Sequence, residues 1–271
     1  MVVRGLTAGE GARAVPRSPL RRPAHPAVVT VTLRIMLVAA AVCPCPPLLV
    51  PEVAAGAAPE LDRAREACAD ALGVLAAARP GRLVVVGPAE RDGRYAQGAR
   101  GSFRGFGVDL DVRLGPGEGR AEAPEGALPA SLAVAAWLLD RAERSVPVDG
   151  VAVAEPLDAE RCISLGRDIA GAAERVALLV MGDASACRTL KAPGYLDDRA
   201  AGFDAEVARA LAAVDIAALK ALDAGLAGEL LVSGRAPWQV LAGAAEEADL
   251  SGSLLYDDAP YGVGYLVATW S

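Results

Sequence analysis

The sequence predicts an α/β fold, a single three-layer αβα domain with a mostly parallel central sheet. Three observations predict it. Short all-apolar runs of strand length recur along the chain. Segments of helical period separate them. The alternation of the two kinds continues to the C-terminus, which calls for a sheet with helices on both faces.

Residues 37 to 42 form the first apolar run, and Pro44, Pro46 and Pro47 end it. The segment 60 to 78 reads as a helix, with Leu61, Cys68, Leu72 and Leu75 on one side, acids in its first turn and Pro80 after its end. A second buried strand, 83 to 86, stops at Gly87-Pro88. Val108, Leu110, Val112 and Leu114 alternate with charged residues, the period of a half-exposed strand near a sheet edge. Gly115-Pro-Gly-Glu-Gly119 lacks the Gly-Lys-Ser/Thr setting of a phosphate loop and reads as a flexible turn. Residues 128 to 142 are a helix with Trp137 on its apolar side. A strand at 148 to 154 precedes a helix at 158 to 173 that Asp158 can cap. The run 176 to 181 is a further buried strand, ending at Gly182-Asp183. Val207, Leu211, Val214, Ala218 and Leu222 predict one long amphipathic helix from residue 204. A shorter helix follows at 237 to 247, with Pro237 near its first turn. Segments 253 to 256 and 264 to 269 close the chain as two strands.

Composition limits the function. Just over half of the 271 residues are apolar, enough for a large core, and the net charge is −7. That acidic balance argues against nucleic acid as a partner, because phosphate binding needs clustered Lys and Arg. No apolar span is long enough to cross a membrane. Five scattered cysteines, Cys43, Cys45, Cys68, Cys162 and Cys187, do not form a disulfide framework and fit a reducing cytoplasm. Cys68 and Cys162 read as small core residues. Residues 1–35 differ from the rest: six arginines against the single acid Glu10. They read as a disordered extension, or as the product of a start assigned too early with Met36 the true one. The working domain is then 36–271.

In open α/β sheets ligands bind beyond the carboxyl ends of the strands. That rule selects Cys43-Pro-Cys45, Pro88-Ala89-Glu90-Arg91 and the stretch from Gly182-Asp183 to Arg188, with the Asp257-Asp258 turn near the end of the chain.

Three of these segments also carry a resemblance. Met36 to Val53, Met181-Gly-Asp-Ala-Ser-Ala-Cys-Arg-Thr189 and Tyr256-Asp-Asp258-Ala-Pro-Tyr-Gly-Val-Gly-Tyr-Leu-Val-Ala268 resemble segments of the LigB-type superfamily, the B subunits of class III extradiol ring-cleavage dioxygenases. The resemblance implies a LigB-like fold and, in active relatives, Fe(II)- and O2-dependent cleavage of catechol-type rings. There the iron is held by two His and one carboxylate, with a further His as acid/base. Matched position by position, Cys45 stands at the first His ligand, in a segment that usually reads Pro-His-Pro-Pro. Ala89 stands at the second, Ala186 at the acid/base His, and Asp258 where the family has Glu before Ala-Pro. The only His of the chain is His25. The expected outcome is that ring cleavage is lost or altered. The pocket candidates are Cys45, Glu90, Asp183, Ser185 and Asp258. No metal is expected, with Zn(II) on Cys45 and Asp258 as the alternative. A thiol enzyme is another option, in which Arg91 or Arg188 would lower the Cys45 pKa. A non-catalytic protein that binds a small molecule or a partner also remains open, as does a homo-oligomer. Asp183 reads equally as a cap of its own turn and as a ligand-binding group.

Overall fold

The computed structural model describes residues 36–116, 127–142 and 146–271. The N-terminal arm with His25, and residues 117–119 of the glycine-rich turn, lie outside them. All of the described residues belong to the compact unit Arg34–Ser271.

The first half of the chain runs β1 (Met36–Cys43), α1 (Pro51–Ala54), α2 (Asp62–Ala77), β2 (Arg82–Ala89), β3 (Gly93–Tyr95), β4 (Arg100–Ser102), β5 (Asp111–Arg113) and α3 (Ala130–Asp140). The second half runs β6 (Val148–Ala154), α4 (Ala159–Ala170), β7 (Arg175–Met181), α5 (Ala200–Ala213), α6 (Ile216–Lys220), α7 (Ala224–Glu229), α8 (Arg235–Ala244), β8 (Gly252–Asp258) and β9 (Tyr265–Trp270). Seven strands make the main sheet in the order β3-β6-β2-β7-β1-β9-β8. The inner four, β6, β2, β7 and β1, are parallel, whereas β3, β9 and β8 pair antiparallel. The sheet is therefore mixed, with its parallel part in the middle. The four parallel strands end on one edge, and that edge is where a ligand site belongs.

Period-two burial explains the layers. Ala39, Ala41, Cys43, Leu83, Val85, Leu179 and Met181 pack into one cluster with α2 and α3. Leu37, Val42, Val84, Val86, Leu178 and Val180 pack into another with α4, α5 and α8. Strands buried on both faces need apolar residues at every position, which is why they read as continuous runs. Cys68 and Cys162 are fully buried in these layers. The helices α4 and α8 meet through their backbones. A Cβ on Gly166 would overlap the Val240 carbonyl oxygen, and one on Gly243 would overlap the Ile163 carbonyl oxygen.

Two expectations change. The alternating segment 108 to 114 yields only the three-residue β5, which pairs with β4 as a separate ribbon and not at an edge of the main sheet. Its apolar side chains pack instead toward α3, with Val112 and Leu114 buried in the same cluster. The single long helix from residue 204 is broken. Val214 adopts a left-handed φ of 54° as the C-cap of α5, and Asp215 caps α6 by accepting from Ala218 N–H at 3.0 Å. The side-chain period continues across the break, so hydrophobicity alone hides it.

Among the described residues, no helix is long and apolar enough to cross a membrane.

Candidate functional site

The tips of β1 and β7 are joined at the C-terminal edge. The pairing of these strands extends past their ends, with Gly182 N–H donating to Cys43 O at 3.0 Å. Asp183 then turns its carboxylate across the gap, and Oδ1 accepts from Cys45 N–H at 2.8 Å. The carboxylate thus ties two strands together and does not cap its own turn. The segment before α8 closes the third side. Asp183 N–H donates to Ser233 Oγ at 3.0 Å, and Gly234 N–H donates to Asp183 O at 2.9 Å. This approach needs glycine: a Cβ on Gly182 would overlap the Gly234 Cα.

Beside this junction lies a cleft of about 480 Å³, lined among others by Cys45, Pro88, Ala89, Glu90, Arg91 and Ser233. Its remaining wall is the start of α3, where Ser131 Oγ donates to Pro88 O at 2.6 Å. The cleft sits where the strand-end rule places it.

Electrostatics here favour neutral forms. Burial raises Asp183 from the ordinary 3.8 to about 7, against the opposing pull of the Cys45 N–H. Burial, then the Asp183 carboxylate, push the Cys45 thiol well above its ordinary value, although a hydrogen bond with Ser233 pulls the other way. The Tyr265 phenol, at the start of β9, is buried and also raised, first by burial and then by Asp183. Cys45 is therefore a protonated thiol at neutral pH, unlike the activated cysteines of thiol enzymes.

The sequence candidates separate. Cys45, Ala89 and Glu90 share the cleft, and Asp183 touches Cys45 through its backbone. Ser185 is fully buried and committed elsewhere: its N–H and Oγ donate to Asp204 Oδ1 and Oδ2, both at 2.8 Å. Arg188 holds the same Asp204 at 2.9 Å, so it does not serve as the cation of Cys45. Ala186 is buried, with its N–H on Leu230 O. Asp258 is exposed at the end of edge strand β8, where Oδ1 accepts from Ala259 N–H at 2.7 Å, and it is not among the residues lining the cleft. Gly262 and Gly264 are packing positions: a Cβ would lie 2.5 Å from Thr189 Oγ1 and 2.6 Å from Asp204 Oδ2, respectively.

Sequence reasoning missed Ser233, Ser131 and Tyr265. Ser233 precedes α8, and its only signal was the Ser-Gly pair ahead of a helix. Tyr265 lay inside a recognised strand and carried no mark of its site position. Also missed was the buried Arg235 at the start of α8. It reaches Glu155 Oε1 at 3.2 Å, Leu157 O at 2.7 Å and Gln239 Oε1 at 3.0 Å. Burial, only partly offset by Arg235, raises Glu155 to about 7.

At the two positions where the resemblance implies His ligands of iron, the cleft offers the Cys45 thiol and the Ala89 methyl group, which do not match that donor set. Among the described residues no group of three or more His, Cys, Asp and Glu side chains is placed to hold a metal ion.

No family model matches this chain. No curated protein matches it either. Among solved structures it is similar to that of the uncharacterized protein JW3007 from Escherichia coli K12, with a TM-score of 0.54 and 14% identity, over 86% of this chain and 99% of that one. At that identity the likeness concerns the fold alone.

Proposed function

We propose that this chain is a LigB-type, extradiol-dioxygenase-like domain whose ring-cleavage site has become a metal-independent cleft for a small molecule. One observation carries the reading. Cys45 and Ala89, the positions at which the resemblance puts two His ligands of Fe(II), line the same cleft at the ends of β1 and β2. Two segments well separated in sequence thus converge on one cleft, and neither brings an imidazole. A methyl group has no lone pair, so no rotamer of Ala89 supplies the second ligand.

A second reading, a thiol or Zn(II) enzyme built on Cys45 with Asp183 or Asp258, has the Cys45–Asp183 contact in its favour. The raised thiol weighs against a free Cys45 nucleophile, which needs the deprotonated form, and the contact reaches Asp183 through the Cys45 backbone N–H and not through the thiol.

The test has two arms. The protein is incubated with Fe(II) without oxygen, desalted, analysed for iron, and then given catechol and air. We expect neither retained iron in proportion to protein nor oxygen uptake; stoichiometric iron with turnover overturns the proposal. In the second arm catechol is titrated calorimetrically into metal-free protein and into Ala89→Phe, which fills the cleft. Saturable heat that the variant loses supports the binding role, and equal heat in both removes it.

A further inference from the structure

Six large hydrophobic side chains are exposed among the described residues, and four of them sit on two neighbouring segments. Leu190 (60% exposed), Tyr195 (61%) and Leu196 (45%) belong to the loop from β7 to α5, and Leu231 (52%) to the turn from α7 to α8. Single exposed hydrophobics need no explanation, whereas a cluster marks an interaction surface. The two segments are laced together. Ala186 N–H donates to Leu230 O at 2.9 Å, and Arg199 joins Asp197 at 2.7 Å and Glu229 at 2.6 Å. Leu231 packs on Gly194, the neighbour of Tyr195: a Cβ on that glycine would lie 2.9 Å from Leu231 Cδ1.

The backbone sharpens this. Leu231 is left-handed, with φ 55°; its N–H donates to Gly228 O at 3.2 Å, and Val232 N–H donates to Ala227 O at 2.9 Å. That is the hydrogen-bond pattern of a helix end whose left-handed residue is usually glycine. Tyr195 is also left-handed, with φ 63°, at the close of a turn in which its N–H donates to Ala192 O at 2.9 Å. A bulky side chain is disfavoured at both positions, and at both it is held out into water. Burial within the chain offsets little of either penalty.

Charge indicates the partner. Most charges of these segments are matched inside the chain, Asp197 and Glu229 on Arg199, and Arg188 on Asp204. Lys191, beside Leu190, and Asp198, beyond Leu196, are exposed and make no ion pair among the described residues. One cation and one anion thus accompany the apolar side chains, and such a surface is complementary to itself. A two-fold axis sets each member of a pair against the other in the second copy, giving two Lys191–Asp198 contacts.

We propose that this face pairs with the same face of a second copy of the chain, as an isologous dimer. Leu190, Tyr195, Leu196 and Leu231 form its centre, and Lys191 and Asp198 meet reciprocally at its rim. The inference does not rest on the cleft reading, and the two can fail separately.

Sedimentation velocity of the full chain over a dilution series tests it. The chain should sediment as a dimer at about 100 μM and dissociate on dilution. Leu231→Gly suits the left-handed backbone and should weaken self-association about tenfold or more, because both copies lose the same buried leucine. Lys191→Asp and Asp198→Lys should each weaken the dimer about three- to tenfold, and the two in one chain should restore it. An equimolar mixture of the two single variants should also dimerise, since every contact between unlike copies then joins opposite charges. The charge variants alter exposed side chains, so they remain informative even if Leu231→Gly does not fold. A monomer at every concentration would overturn the proposal and leave the patch to a partner of another kind. A dimer unmoved by Leu231→Gly, or single charge variants that neither the double variant nor the mixture rescues, would overturn it as well.

Discussion

Replacing Asp183 by asparagine should change how stability depends on pH. In the native protein burial raises the Asp183 carboxyl from 3.8 to about 7. Below the lower value both the folded and the unfolded chain carry the proton. As the pH rises from there, the unfolded chain ionises freely while the native carboxyl still holds its proton. The native state therefore loses ground until about pH 7, and nothing further is lost above it. The gap is about 3 pH units at about 1.4 kcal/mol each, which sets a ceiling of about 4 kcal/mol. Because the residue is only partly buried, solvent screening reduces this to about 2 kcal/mol. The asparagine amide would keep the Oδ1 acceptor for Cys45 N–H and lose the ionisation. Urea unfolding, followed by tryptophan fluorescence, measures both proteins from about pH 4 to about pH 8. The wild type should fall relative to Asp183→Asn by about 2 kcal/mol over that range, a midpoint difference near 1 M urea. Glu155, also raised to about 7, titrates in the same window but is present in both proteins and cancels. Parallel curves would refute the reasoning.

Three further outcomes are expected. Arg235→Ala should cost about 3–5 kcal/mol in urea unfolding, because it strands the half-buried Glu155 carboxylate, the backbone carbonyls of Glu155 and Leu157, and Gln239 Oε1 together; a cost under about 1 kcal/mol would mean water replaces the guanidinium. Gly166→Ala should cost about 3 kcal/mol or more and lower the melting temperature by about 6–12 °C, since α4 and α8 must separate to admit one methyl group; an unchanged melting temperature would deny the close crossing. All five cysteines are buried, so Ellman's reagent should find no fast thiol in native protein and all five after denaturation; rapid labelling of Cys45 at neutral pH would contradict both its burial and its raised pKa.

Where hydrophobic period decides an element, the chain could be read directly. β1, β2 and β7 came from unbroken apolar runs, and α4 came with its cap, Asp158 Oδ1 on Arg161 N–H at 2.8 Å. Elements decided by backbone detail could not be read. The break between α5 and α6 depends on one left-handed residue, and β3 and β4 are three residues each, too short for a period to register. The same divide runs through the site. Cys45, Ala89, Glu90 and Asp183 follow strand ends, so locating the strands located them. Ser233 and Tyr265 arrive from elements far along the chain, and only the folded backbone shows what they meet. Ser185 and Asp258 follow strand β7 and end strand β8, yet the first is turned into Asp204 and the second faces solvent. Sequence position ranks candidates but does not aim side chains.

The crossing of α4 and α8 has a mechanical consequence. With Gly166 and Gly243 pressing main chain on main chain, no rotamer change can let one helix slide past the other. Helix α8 begins just after Ser233, so that side of the cleft is anchored like a doorpost. Widening or narrowing of the mouth must then come from the facing side, where Glu90 and Arg91 follow β2 and Pro129 leads into α3.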